Sequence, residues 1–212
     1  KPDWTDFGTL WFQSISPRFS TVNSEYFEWP FPRVAMIRNR ARADALVIRV
    51  HEEAKRLRET YGVEPLIYLV GHSNGGYLID LVAEGLIAMG WKIQGLLFMA
   101  AAVRAKRTTQ RLVEWMRQNK VEKAELVIAE KDRVIGFLKW DPVKVVAFPW
   151  GALGREGWRL SEIPLHLQNS FTSWTLPSRH SGFLKPDRRK ETYETIIGPF
   201  VGVTPEELEA AA

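Results

Sequence analysis

The pentapeptide Gly71-His72-Ser73-Asn74-Gly75 is a G-x-S-x-G motif set between an apolar run and a helix-forming run. Leu66-Ile67-Tyr68-Leu69-Val70 precedes it, short, branched and apolar, as a fully buried parallel strand is. The residues from Gly76 to Glu84 read as a helix. A strand that turns sharply into a helix holds its serine in a strained backbone conformation. Glycines on either side avoid collision with the neighbouring strand and helix. The hydroxyl then stands at the carboxyl edge of the sheet, over a helix start whose free amides and dipole stabilise anions. Ser73 is therefore a candidate nucleophile.

A serine hydroxyl at its ordinary pKa is a poor nucleophile. It needs a neutral imidazole to take its proton and a carboxylate to fix that imidazole's tautomer. The chain has four histidines, His51, His72, His166 and His180. His51 lies within an amphipathic helix pattern, and His72 occupies the first variable position of the motif, expected to point away from the reaction centre. His180 lies in the polar loop Ser178-Arg179-His180-Ser181-Gly182-Phe183, after the last expected strand and before the last helix. It is the preferred base, with His166, in a proline- and aromatic-rich loop, as the second candidate. Asp132 comes three residues after the strand Leu126-Val127-Ile128-Ala129 and is the preferred acid. A plain solvated turn is the alternative there, since Glu130, Lys131 and Arg133 are charged. Asp141 precedes a strand and should lie at the wrong edge, and Asp80 is too far along its helix.

The elements that must position these groups alternate. An amphipathic helix is expected from Asn39 to Tyr61, with Ala43, Leu46, Val47, Val50, Ala54 and Leu57 on one face. The helix after the motif should end near Gly90. Ile93–Ala100 reads as a strand, and Thr108 or Thr109 as the cap of a helix bearing Leu112, Val113, Trp115 and Met116. Leu126–Ala129 and Val143–Phe148 read as further strands. Pro164 to Pro177 looks irregular, ending in a short strand at Phe171–Trp174, and Asp187–Phe200 closes the chain as a helix. Such alternation predicts an α/β fold, a mostly parallel sheet with helices on both faces, in a single domain spanning 1–212. Ligands bind such sheets beyond the carboxyl ends of their strands.

The motif at Gly71–Gly75, Asp132 after a strand, and His180-Ser181-Gly182-Phe183 before the final helix together resemble the α/β-hydrolase superfamily, and within it small bacterial serine esterases and lipases. The resemblance runs over nearly the whole chain. It implies Ser73 as nucleophile, His180 as general base and acid, Asp132 as orienting carboxylate, and the Asn74 backbone amide as one oxyanion-hole donor. These enzymes normally carry a His-Gly motif after an early strand, whose loop supplies the second donor. Here that strand and motif are absent: Trp4–Trp11 resembles the stretch just downstream of the motif, and Phe27-Glu28-Trp29-Pro30 the next strand. The missing strand would leave central sheet edges open. With Lys1 in place of Met at the start, further residues are expected upstream. Without a second donor, the rate would fall by roughly a hundredfold or more.

The implied activity is hydrolysis of a carboxylic ester through an acyl-enzyme. Trp140, Trp150, Trp158, Phe171 and Trp174 flank the acid and histidine loops; core packing explains most, and Trp150 and Trp174, with His72, are candidates for an acyl pocket. The Gly-rich stretch Pro149–Trp158 could form one pocket wall. With no long insertion to act as a lid, a small or medium ester is favoured. The same residues would serve a thioesterase, amidase or acyltransferase, and a non-catalytic hydrolase-like binding domain is the rival from another class.

Composition narrows the classes. The 212 residues are 45% hydrophobic and 25% charged, as in ordinary globular proteins. The absence of cysteine excludes disulfides, thiolate metal sites and cysteine nucleophiles. His and carboxylates are not at ligand spacings, so neither metal nor cofactor is expected. The net charge of +4 is modest, and Arg38, Arg40, Arg42 and Arg49 are followed by Glu52, Glu53 and Glu59, which reads as a solvated helix face and not a nucleic-acid patch. No apolar run reaches the ~20 residues of a membrane span. The expected partner is a small-molecule ester, and the default location is cytoplasmic.

Overall fold

The computed structural model describes residues 4–23, 32–133 and 151–210. Four strands, β1 (Ile67–His72), β2 (Ile93–Met99), β3 (Val121–Ala129) and β4 (Phe171–Leu176), form one sheet in the order β1-β2-β3-β4. Every neighbouring pair is parallel. Strand alternation divides the core into two. Ile67, Leu69, Leu96, Phe98, Ala124 and Leu126 face one layer; Tyr68, Val70, Leu97, Met99, Val127 and Ala129 face the other. The expected α/β class and parallel sheet are what the molecule has.

Helices cover both faces. On the first lie α2 (Pro32–Tyr61), α3 (Gly75–Ala88) and α4 (Ala105–Arg117). At 30 residues α2 is about 45 Å long; Ala43, Val47 and Ala54 form its buried stripe. The second face is covered by α1 (Trp4–Ile15) and a closing helical run made of Arg189–Thr192, a π-turn at Tyr193–Ile197, and Gly198–Val201. Phe7, Trp11 and Phe12 pack around Tyr193 there, at ring separations of 5.3, 5.4 and 6.0 Å. No helix among the described residues is long and apolar enough to cross a membrane.

Several boundaries differ from expectation. The α2 helix begins at Pro32, well before Asn39. The α4 helix begins at Ala105 after Arg104, so neither Thr108 nor Thr109 caps it; both are buried inside it, and Thr109 Oγ1 accepts the Arg159 N–H at 3.3 Å. The β3 strand starts five residues before Leu126, because its polar residues find distant partners: Lys123 donates to the Phe200 carbonyl at 2.7 Å. The segment before Pro177 holds a full strand, paired in register from Ala124–Phe171 to Ala129–Leu176. The expected strands at Phe27–Pro30 and Val143–Phe148 fall outside the described residues, as do Trp140 and Trp150.

Candidate active site

The turn out of β1 is built around Ser73, whose φ of 55° is left-handed and therefore costly for a residue with a Cβ. Three backbone hydrogen bonds hold it. The Ser73 N–H donates to the Met99 carbonyl at 2.9 Å, and the Ser73 carbonyl accepts from Gly76 and Ala102, each at 3.0 Å. The glycines around it are not equivalent. A Cβ on Gly71 would strike the Gly75 carbonyl, and one on Gly76 would sit 2.6 Å from Ala101 Cβ, whereas Gly75 faces open space. The collision expected on both sides of the motif therefore falls on Gly71 and on Gly76, one residue past it. Gly76→Val is expected to destabilise by about 1–3 kcal/mol through overpacking. Gly75→Ala, in the first turn of α3, should change stability by less than about 1 kcal/mol. Thermal unfolding of the two variants measures the contrast.

The turn after β3 and the loop after β4 run side by side, because Glu130 N–H donates to the Leu176 carbonyl and Lys131 N–H to the Ser178 carbonyl, both at 3.0 Å. That pairing sets Asp132 beside His180. The His180 Nδ1–H donates to Asp132 Oδ2 at 2.6 Å, and the Ser73 Oγ–H donates to His180 Nε2 at 2.7 Å. Asp132 is buried, with its residue only 1% exposed. Ser73, His180 and Asp132, drawn from three loops at the carboxyl ends of the strands, are thus brought into one hydrogen-bonded chain. His166 and Asp80 take no part in it: His166 lies in the short 3₁₀ segment Leu165–Ser170, and Asp80 is buried in α3 beside Arg111. His51 accepts the Trp91 indole N–H at 2.9 Å.

Asn74 stands at the N-cap of α3 without capping it; its Oδ1 instead accepts from Asn39 Nδ2 at 3.0 Å. Asn39 is 2% exposed although its side chain is polar. The sequence pattern hid it at the expected start of an amphipathic helix, where an asparagine reads as a cap.

His72 does not simply turn away. Its Nε2 lies 2.9 Å from the His180 carbonyl oxygen, and its ring is 4.9 Å from the His180 ring and 5.8 Å from that of Phe183. Burial pushes its pKa down to about 4, against the opposing pull of the His180 carbonyl.

A cavity of about 1280 Å³ opens on Ser73 and runs along the outer edge of β1, which among the described residues is paired on one side only. Leu46 and Val50 of α2, Phe12 of α1 and Ile197 line it, together with His72, Asn74 and His180. Among the described residues, none of Trp158, Phe171 and Trp174 lines this cavity. Trp174 is 40% exposed on β4 and donates its indole N–H to Glu125 at 3.0 Å, away from the cavity. Trp158 is buried in the core and donates to the Thr172 carbonyl at 3.0 Å. The described part of the Gly-rich stretch, including the short helix α5 (Leu153–Glu156), does not line this cavity. It docks on the backbone after β2, with Leu153 N–H on the Val103 carbonyl and Gly154 N–H on that of Ala101, both at 3.0 Å. Gly151 and Gly154 serve that close approach, since a Cβ on either would meet backbone atoms. Trp150 lies outside the described residues.

No group of three or more His, Cys, Asp or Glu side chains suited to a metal ion occurs among the described residues. No protein-family model matches the chain, and no curated protein sequence matches it.

Proposed function

We propose that this chain is a serine-dependent carboxylic ester hydrolase of the α/β-hydrolase type. The observation that carries the reading is the hydrogen-bonded chain from Ser73 Oγ through His180 to the buried Asp132, at 2.7 and 2.6 Å, on a serine with φ of 55°. Each part has a chemical task. His180 Nε2 takes the Ser73 proton as Oγ attacks the ester carbonyl carbon, and Asp132 stabilises the imidazolium through Nδ1–H. The carbonyl oxygen becomes an oxyanion near the Asn74 amide at the start of α3, where helix amides favour negative charge. His180 returns its proton to the leaving alkoxide, which departs as the alcohol and leaves an acyl group on Ser73. Water then attacks the acyl carbon while His180 takes its proton. The tetrahedral species collapses to the free acid, and Ser73 regains its hydrogen.

The cavity sets the substrate question. Leu46, Val50, Phe12 and Ile197 offer apolar contacts for an acyl chain, and the absence of a long insertion favours small or medium esters. A fluorophosphonate probe tests the activity: wild-type protein is expected to be labelled and Ser73→Ala protein not. Folded wild-type protein that resists the probe would instead favour a hydrolase-like binding domain. An acyl-length series of p-nitrophenyl esters then reads the acyl-chain preference.

A further inference from the structure

His180 lies in a loop without regular secondary structure, yet its imidazole must stay within hydrogen-bonding distance of two groups that follow different strands. On the acid side the loop is tied down by Lys131 N–H on the Ser178 carbonyl at 3.0 Å. Internally it is tightened by Gly182 N–H on the Arg179 carbonyl at 2.9 Å. On the nucleophile side the tie is His72, whose Nε2 lies 2.9 Å from the carbonyl of His180 itself.

We propose that His72 is a positioning residue: its Nε2–H holds the His180 backbone and so sets the height of the His180 imidazole over Ser73 Oγ. This rests on the ester-hydrolase reading for its kinetic consequence, though not for its geometry. Three features support it. First, His72 ends β1 and immediately precedes Ser73, so the bond ties the base's backbone to the nucleophile's own strand. Second, a carbonyl can only accept, so the His72 proton resides on Nε2 and the ring acts as a donor of fixed direction. Third, the His72 ring packs edge-on against Phe183, with ring centroids 5.8 Å apart. A neutral ring is also what the place requires. With ring centroids 4.9 Å apart, a charged His72 would oppose the imidazolium that forms on His180 during acyl transfer. Burial, which favours the uncharged ring, meets that need.

The test compares His72→Gln, which keeps an N–H donor, with His72→Phe and His72→Leu, which do not. Rates are expressed per phosphonate-titrated site, so misfolded protein drops out. The donorless variants are expected to lose kcat by about 10- to 100-fold with KM nearly unchanged, the scale of a reacting group displaced by a fraction of an ångström to an ångström. The Gln variant should stay within about threefold of wild type, since its amide replaces the donor. In parallel, the strongly downfield proton resonance of His180 Nδ1–H against Asp132 should persist in wild type and Gln and broaden or vanish in Phe and Leu. Phe or Leu proteins with wild-type kcat and resonance would overturn the proposal. So would a Gln protein as impaired as Phe, which would mean that ring packing matters and the hydrogen bond does not. If wild-type protein fails to react with the phosphonate, the hydrolase reading falls, and the resonance alone still decides the role of His72.

Discussion

Asp132→Asn is expected to leave the fold intact and to lower kcat on a p-nitrophenyl ester by about 10⁴-fold, and His180→Ala by at least as much. Asp132 is buried and lies 2.6 Å from His180 Nδ1, so both its shape and its charge act on the ring. An amide at position 132 is isosteric, so packing is preserved. Its NH₂, turned toward the ring, favours the tautomer with the proton on Nε2, and that nitrogen then cannot accept the Ser73 proton. The imidazolium of the transition state also loses its counter-charge in a site where solvent gives little compensation. KM should change little, because Asp132 is not among the cavity-lining groups. Steady-state kinetics with a thermal unfolding control check both halves of this expectation. An Asp132→Asn protein within about tenfold of wild type would mean that the contact does not serve catalysis.

How much of this site was legible in the sequence depended on whether the signal was local. The run Ile67–Val70, the serine turn and the apolar Leu96–Met99 were legible because each carries its burial in consecutive residues. Chain order and loop placement favoured His180 over His166 and Asp132 over Asp80, and the structure brings His180 and Asp132 together with Ser73, while Asp141 lies outside the described residues. What failed was non-local. The first half of β3 fell outside the strand expected at Leu126–Ala129: Lys123 and Glu125 are charged, and their partners are the Phe200 carbonyl, 77 residues on, and Trp174, 49 residues on. Aromatic residues near a loop say nothing about which side they pack on: Trp174, a pocket candidate, donates its indole N–H to Glu125 on the neighbouring strand, and Trp158 is buried in the core. The motif's second glycine carried no steric duty, whereas its neighbour Gly76 did. His72 shows the same limit, since its partner is a backbone atom 108 residues away.

Asp80→Asn is expected to stabilise the protein at neutral pH and to have almost no effect near pH 3. Asp80 is buried in α3, and its Oδ1 has no partner among the described residues, while Oδ2 lies 3.3 Å from Arg111. Burial raises its pKa from 3.8 to about 6, the nearby Arg111 only partly offsetting it. The folded state therefore prefers the neutral acid. Below pH 3.8 both folded and unfolded chains carry the protonated form, and the stability it confers is fully present. As pH rises from 3.8 to about 6 the unfolded chain ionises first, and stability is lost across that window. The carboxylate then costs on the order of 2–3 kcal/mol at pH 7. An asparagine keeps an acceptor for Arg111 and carries no charge, so the difference in unfolding free energy between variant and wild type should grow through the window and level off above it. The comparison must be made as a difference, because Glu53 works in the opposite sense: hydrogen bonds from Arg56 and Ser20 hold its pKa down from 4.5 to about 2, so the stability it contributes above pH 4.5 is lost as pH falls toward 2. Denaturant unfolding at several pH values between 3 and 8 reads the effect. A variant–wild-type difference that stays flat across that range would show that Asp80 remains ionised in the fold and that Arg111 compensates its burial.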